Sequence, residues 1–339
     1  MPAIHTRRTI VKAAAVAAAM PLLAKAQAPI VIKFSHVVAP DTPKGKGADR
    51  FRQLAEERTK GRVKVEVYPN SQLYKDKEEL EALQLGSVQM LAPSLAKFGP
   101  LGVKEFEVFD LPYIFKDTAS FRATTDGPVG EELFKKLETK GILGLAYWDN
   151  GFDIMSANRP LHHVVDFKGL KMRIQSSKVL EANMRSLGAI PQVMAFSELY
   201  QGLQSGVVEG CENTPSNMYT QKVYEVQKHT TVSEHGHISY AVVVNRKFWE
   251  GLPADIRPVL DGCMKDATTY ANAIAETENR QSLEKIASSG KTLVYTLTPA
   301  EKDEWKRAMF VVHKEMEGRV GKDTIRAVYR AAGFSVPKA

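Results

Sequence analysis

The stretch FKGLKMRIQSS (residues 167–177) ends a β-rich run with one guanidinium, Arg173, followed by two hydroxyls, Ser176 and Ser177. No acid lies beside Arg173 in sequence, so its counter-charge comes from across the fold or from outside the chain. A guanidinium is a planar fork that meets a carboxylate at two points, a match lysine does not reproduce. Asn213 offers an amide donor and Phe196 an apolar wall. A cation, a donor and a wall suffice to bind a small organic acid. The competing reading is an internal salt bridge from Arg173 to Glu212.

Other chemistry finds less support. The chain has no G-x-S-x-G elbow, no Walker-type phosphate loop and no G-x-G-x-x-G after its first strand. Arg173, His36 and Asp153 in one pocket would allow proton transfer, which keeps an exported organic-acid enzyme as an alternative. Glu234, His235 and His237 in "EHGH" form a metal candidate, but no third ligand follows at a telling spacing. His162 and His163 sit in a loop beside Pro160 and read as solvated. No metal and no cofactor are expected.

These residues need elements to hold them. "PIVIKFSHV" reads as a strand, "ADRFRQLAEERTKG" as a helix closed by glycine, and "RVKVEVYP" as an alternating strand. The order strand–helix–strand recurs in "GLKMRIQ", "SKVLEANMRSLG", "AIPQVMA", "FSELYQGLQSG" and "VVEGCEN". Leu83-Gln84-x-Gly86-x-Val88 repeats as Leu203-Gln204-x-Gly206-x-Val208, with glycine ending a helix in the left-handed region. The expected fold is α/β, in two lobes. Each lobe is a mostly parallel sheet flanked by helices, and a long helix at about 254–289 spans both.

The boundaries expected are an export signal at 1–26, lobe I at 27–150 plus about 239–270, and lobe II at 151–238 plus about 271–335. Ligands of such lobes bind where strands end in loops. The strand-end stretches "HVVAPD", "APSLAKF" and "SEHGHISY" therefore add His36, Val37, Lys97 and Tyr240 to the expected lining.

The amino terminus reads as an address. Arg7-Arg8, an apolar run and the triplet Ala24-Lys25-Ala26 follow the order of an export signal cleaved near Ala26, and the twin arginine suits either of two export routes. Removing its four basic residues takes the formal charge from +7 to +3. Basic residues are otherwise scattered among acids, so nucleic acid is excluded as a partner. Cys211 and Cys263 read as two buried thiols, with a disulfide as the alternative. The mature chain is expected to be a soluble periplasmic monomer.

In order along almost the whole mature chain, "IKFSHVVAPDTPKGKGADRF", "VEVYPNSQL", "LAPSLAKF", "FDLPYIF", "YWDNGF", "SANRPL", "GLKMRIQSS", "MAFSELYQGLQSGVVEGCEN" and "VYEVQKH" resemble the solute-binding component of TRAP transporters, the DctP family. The resemblance implies a protein with a two-lobe α/β fold of the periplasmic-binding-protein type, which captures an organic acid between its lobes and delivers it to the small and large permease subunits in the membrane. Presentation to a receptor kinase would use the same cleft. It implies that Arg173 forms a two-pronged salt bridge with the ligand carboxylate, that Asn213 donates to it, and that Phe196 lines the pocket. One departure stands out: relatives carry Arg or Lys where this chain has Asp153. Facing the ligand, Asp153 would repel a second carboxylate and accept hydroxyls. A small hydroxylated monocarboxylate, such as a C4 sugar acid (erythronate) or pantoate, is then the expected ligand. If Asp153 points away, or pairs with Lys97 or Lys75, a C4-dicarboxylate is the alternative.

Overall fold

A computed structural model describes residues 28–335, so the expected export signal and its cleavage point lie outside the described residues. The strands are β1 (Ile30–Ser35), β2 (Val63–Tyr68), β3 (Met90–Leu91), β4 (Ile142–Phe152), β5 (Ile154–Ala157), β6 (Lys171–Ile174), β7 (Ile190–Val193), β8 (Gly210–Asn213), β9 (His229–Val232), β10 (His237–Asn245) and β11 (Leu293–Thr296). They form two sheets, in the orders β2-β1-β3-β10-β4 and β11-β9-β5-β8-β6-β7. Helices flank both, giving a two-lobe α/β fold.

Both sheets are mixed. The strand–helix–strand units pair in parallel, as β1 does with β2 and β3, and β6 with β7 and β8. The strands next to the lobe crossings run the other way: β10 is antiparallel to β3 and β4, and β5 to β8 and β9. β4 leads into β5 through Asp153, and β9 into β10 through residues 233–236. Each crossing carries the chain from one sheet to the other without a helical return, and the parallel order breaks there.

The third crossing is the helix Arg257–Ser288, 32 residues, or ~48 Å. Pro258 sits in its first turn, where a missing N–H costs nothing. Leu260, Cys263, Met264, Ala267 and Ala271, at spacings of three and four, are buried with the first sheet. Further along, Ile286 is buried with residues of the second.

The C-terminal helices differ from the expected boundary. Helix Lys322–Ala332 packs on helices Thr118–Thr125 and Pro128–Glu138. Its Ile325 and Val328 join the core that holds Phe106, Phe109 and Phe121. The chain from about 317 thus returns to the first lobe, because that amphipathic helix finds its apolar partners there rather than among residues 151–238. The cysteines are free and buried, so the disulfide alternative is not realised.

The repeated glycines behave as their spacing implies. Gly86 and Gly206 have φ of 77° and 74°, and Val88 and Val208 behind them are fully buried. A Cβ at Gly206 would touch nothing within 4 Å, so only backbone strain opposes a side chain there. Gly206→Ala should therefore cost about 1–2 kcal/mol, read from the urea midpoint, with solute binding unchanged.

Candidate functional site

Between the two sheets lies a nearly closed cavity of about 20 Å³, at the carboxyl ends of the central strands. Val37 and Lys97 line it from the first lobe, Arg173, Phe196 and Asn213 from the second, and Tyr240 from the crossing strand β10. Six of the nine residues named from sequence are thereby brought together.

Arg173 gets there by strand alternation. Its neighbours Met172 and Ile174 face the apolar core of the second lobe, so Arg173 faces the other side. It is 1% exposed, its Nε donates to the Met194 carbonyl at 2.9 Å, and its Cζ lies 5.9 Å from the Phe196 ring centre. Among the described residues the guanidinium has no ion-pair partner. Glu212, the rival partner, instead meets His235 Nε2 at 3.0 Å. Burial lowers the pKa of Arg173, while Asp76, Cys211 and Glu212 oppose that shift.

Asn213 is oriented by its neighbours. Its Oδ1 accepts from Thr214 N at 2.9 Å and from Asn217 Nδ2 at 2.8 Å, which leaves its own Nδ2 to donate. The Tyr240 hydroxyl accepts from Asn150 at 2.9 Å and Asn217 at 3.1 Å, fixing the ring that walls the cavity.

Lys97 is not free. It pairs with Asp76 at 2.6 Å and Glu79 at 2.5 Å. Burial alone would raise Asp76, but Lys97 and Arg173 outweigh it and hold this carboxylate below its usual range. Burial would lower Lys97, and its two acids reverse that.

The residue that sequence reasoning missed is Lys44. It is 1% exposed, donates to the Ala92 carbonyl at 3.0 Å, stands 3.7 Å from the Tyr240 ring centre, and has no carboxylate partner among the described residues. The local sequence forces it inward. Thr42 caps the helix Pro43–Arg58 by accepting from Gly45 N at 3.1 Å. Gly45 lies so close to the Ala39 and Pro40 carbonyls that a Cβ would stand 2.5 Å from them, and one on Gly47 would meet Ala271 at 2.9 Å. With two glycines pressed against the lobe, the side chain between loop and helix points to the cavity. The signal was present in "TPKGKG", as a lysine at a helix start with glycines one and three residues after it.

Three expected residues lie elsewhere. Asp153 is buried but does not line the cavity: its Oδ2 lies against Gly236, where a Cβ would approach to 2.7 Å, and its backbone ties the two crossings together through Gly236 O and Glu234 N. Burial, then Glu212 and Asp110, push its pKa well up. It pairs with neither Lys97 nor Lys75, which is held by Glu198 at 2.8 Å. His36 is buried behind the lining, and burial and then Lys44 lower it to about 3, so it stays neutral. Ser176 is outside the lining, and Ser177 caps helix Lys178–Ser186 by accepting from Leu180 N at 3.3 Å.

The histidine pair does not converge. His235 bonds Glu212 and Ser233, whereas His237 bonds Ser239 and packs on Phe121 and Phe152. Among the described residues no group of three metal-ligating side chains forms. His163 is exposed and meets Glu304 at 2.8 Å, while His162 stacks on Tyr295 at 3.9 Å instead of standing in solvent.

The lobes touch around the cavity. Ser94 Oγ donates to Gln175 Oε1 at 2.5 Å, and Phe196 N donates to Asp76 Oδ2 at 2.8 Å. One acid, Asp76, therefore neutralises Lys97 and holds the second lobe at the same time.

A family profile described as DctP, bacterial extracellular solute-binding protein, family 7, matches residues 34–319. The chain belongs to the DctP family. It is 63% identical over 329 residues to the C4-dicarboxylate-binding periplasmic protein DctP of Rhodobacter capsulatus, covering 96% of this chain and 98% of that one. A TRAP periplasmic solute-binding protein from Shewanella oneidensis with bound succinate superposes with a TM-score of 0.88, at 44% identity over 90% of this chain and all of the other. One from Pseudomonas aeruginosa with bound L-malate gives 0.82 at 44% identity, over 85% and 100%. This DctP-family chain is thus a TRAP-type solute-binding protein, and no helix among its described residues is long and apolar enough to cross a membrane.

The position of Asp153 makes a separable prediction. A carboxyl whose folded pKa is raised stabilises fully below its unfolded value near 4, and that contribution is lost as pH climbs through the folded value. Asp153→Asn should therefore raise Tm at pH 8, flatten the fall of stability with pH above about 4, and leave ligand affinity unchanged.

Proposed function

We propose that this protein works in the periplasm, captures a C4-dicarboxylate such as succinate or malate between its lobes, and delivers it to TRAP permease subunits in the membrane. One observation carries the reading. Two buried basic side chains from opposite lobes, Arg173 and Lys44, line one small cavity without an ion pair among the described residues. A ligand with one carboxylate answers only one of them. A short diacid answers both, and drawing its ends together draws the lobes together.

The preference for a hydroxylated monocarboxylate rested on Asp153 facing the ligand, and that premise fails in the fold. The ligands named for the Rhodobacter, Shewanella and Pseudomonas proteins support the diacid. Arg173 takes one carboxylate in two-pronged fashion, with Asn213 Nδ2 as a further donor and Phe196 over the carbon chain. Lys44 takes the other. Lys97, already neutralised, shapes the wall. Micromolar binding needs about −8 kcal/mol, or about −1 kcal/mol per heavy atom of a four-carbon diacid, inside the ceiling of about −1.5.

A thermal-shift panel tests the ligand class. Succinate, malate and fumarate should raise Tm by several degrees, since a ligand at 100 times its Kd adds about 2.7 kcal/mol. Erythronate, pantoate and butyrate should not. Shifts confined to the hydroxy acids would overturn the reading. Removing the anchor should cost about 2–5 kcal/mol, so Arg173→Ala should weaken succinate by at least about thirtyfold in calorimetry. Arg173→Lys should recover only part of that loss.

A further inference from the structure

Lys44 and Glu79 have an arrangement that the binding of a diacid does not by itself explain. Lys44 Nζ is held by a carbonyl and a ring face, contacts that suit an ammonium but do not neutralise it. Across the same wall, Glu79 gives Oε1 to Lys97 at 2.5 Å, while its Oε2 is buried with no hydrogen-bond partner. Such an oxygen is costly as part of a carboxylate and cheaper as a protonated acid.

The cavity's charges can be counted. Arg173, Lys44 and Lys97 stand opposite Asp76 and Glu79. With every group ionised, a dianion leaves one excess negative charge sealed from water, and with Lys44 as the neutral amine it leaves two. Each proton taken up, on Lys44 or on Glu79, removes one of them. We propose that capture of a dicarboxylate draws a proton from the solvent into the cavity, held on Lys44 Nζ or Glu79 Oε2, so that affinity weakens in alkaline solution. The inference rests on the diacid reading above.

The groups facing Lys44 leave few other places for the proton. Lys97 is held charged by its two acids, and Arg173 does not titrate in this range. His36, behind it, is neutral throughout because burial and then Lys44 lower it to about 3. Burial raises Tyr240, whose hydroxyl accepts two amide bonds. On the same helix, Lys46 turns away to Glu278 at 2.7 Å. Burial, then Lys97, bring Lys44 down to about 7, while burial pushes Glu79 up. The empty protein at pH 8 therefore holds Lys44 largely as the amine. A carboxylate placed against it restores the ammonium: the buffer acid gives up a proton, which bonds to the Nζ lone pair.

Titration calorimetry with succinate at pH 8 in phosphate and in Tris measures the proton directly, because the heats differ by the difference between the two buffers' ionisation enthalpies times the protons taken up. Between about 0.5 and 1 proton is expected, with Kd rising up to tenfold from pH 8 to pH 9, where the free diacid no longer titrates. Lys44→Met should weaken binding and reduce the buffer dependence. Glu79→Gln, a nearly isosteric change, should keep most of it and shows whether the cavity tolerates substitution. Tight succinate binding with equal heats in both buffers and a flat Kd from pH 7 to 9 would overturn the proton step while leaving the diacid reading intact. No binding of any diacid would overturn both.

Discussion

A buried guanidinium with no ion-pair partner among the described residues is the constraint on which the rest of this structure depends. Taking such an ion out of water costs several kcal/mol. The fold offsets only part of that, with the Met194 carbonyl, the Phe196 ring and the field of Asp76. The remainder is a standing attraction for an anion of the right shape. Every other feature of the cavity serves to keep that attraction specific. Asn213 is turned so that its donor is free, Tyr240 is fixed by two amides, and Lys97 carries its own acids.

Closure follows from the same electrostatics. The contacts that join the lobes near the cavity are few, and the outermost, Lys75 with Glu198, is half exposed and worth little alone. Asp76 is the exception, because it is largely shielded from solvent, balances Lys97 and accepts from the Phe196 backbone. A diacid bridging Arg173 and Lys44, as proposed, would add the strong link that these contacts lack. The long helix Arg257–Ser288 packs on both lobes and, with the two strand crossings, joins them.

Much of this was legible in the sequence. The strand–helix order, the repeated Leu-Gln-x-Gly-x-Val and the helix after Ile256 announced two α/β lobes. The small polar loops after the strands pointed to Val37, Arg173, Phe196, Asn213 and Tyr240. What stayed hidden was direction at irregular positions. Asp153 falls where one strand ends and another begins, so alternation does not tell which way it faces, and Gly236 decides it. Lys44 reads as a surface lysine until the close approach of Gly45 and Gly47 is seen, and its partner Tyr240 lies far along the chain. The return of the last helices to the first lobe depends on apolar faces that suit either lobe in sequence.

The central claim is that Arg173 waits for a carboxylate from outside the chain. A crystal structure of the mature protein grown with succinate tests it most directly. The account predicts both oxygens of one carboxylate within about 3 Å of the Arg173 guanidinium nitrogens, a distance set by charge-assisted hydrogen bonding. A complex in which succinate binds elsewhere while Arg173 closes onto Asp76 or Glu212 would contradict it.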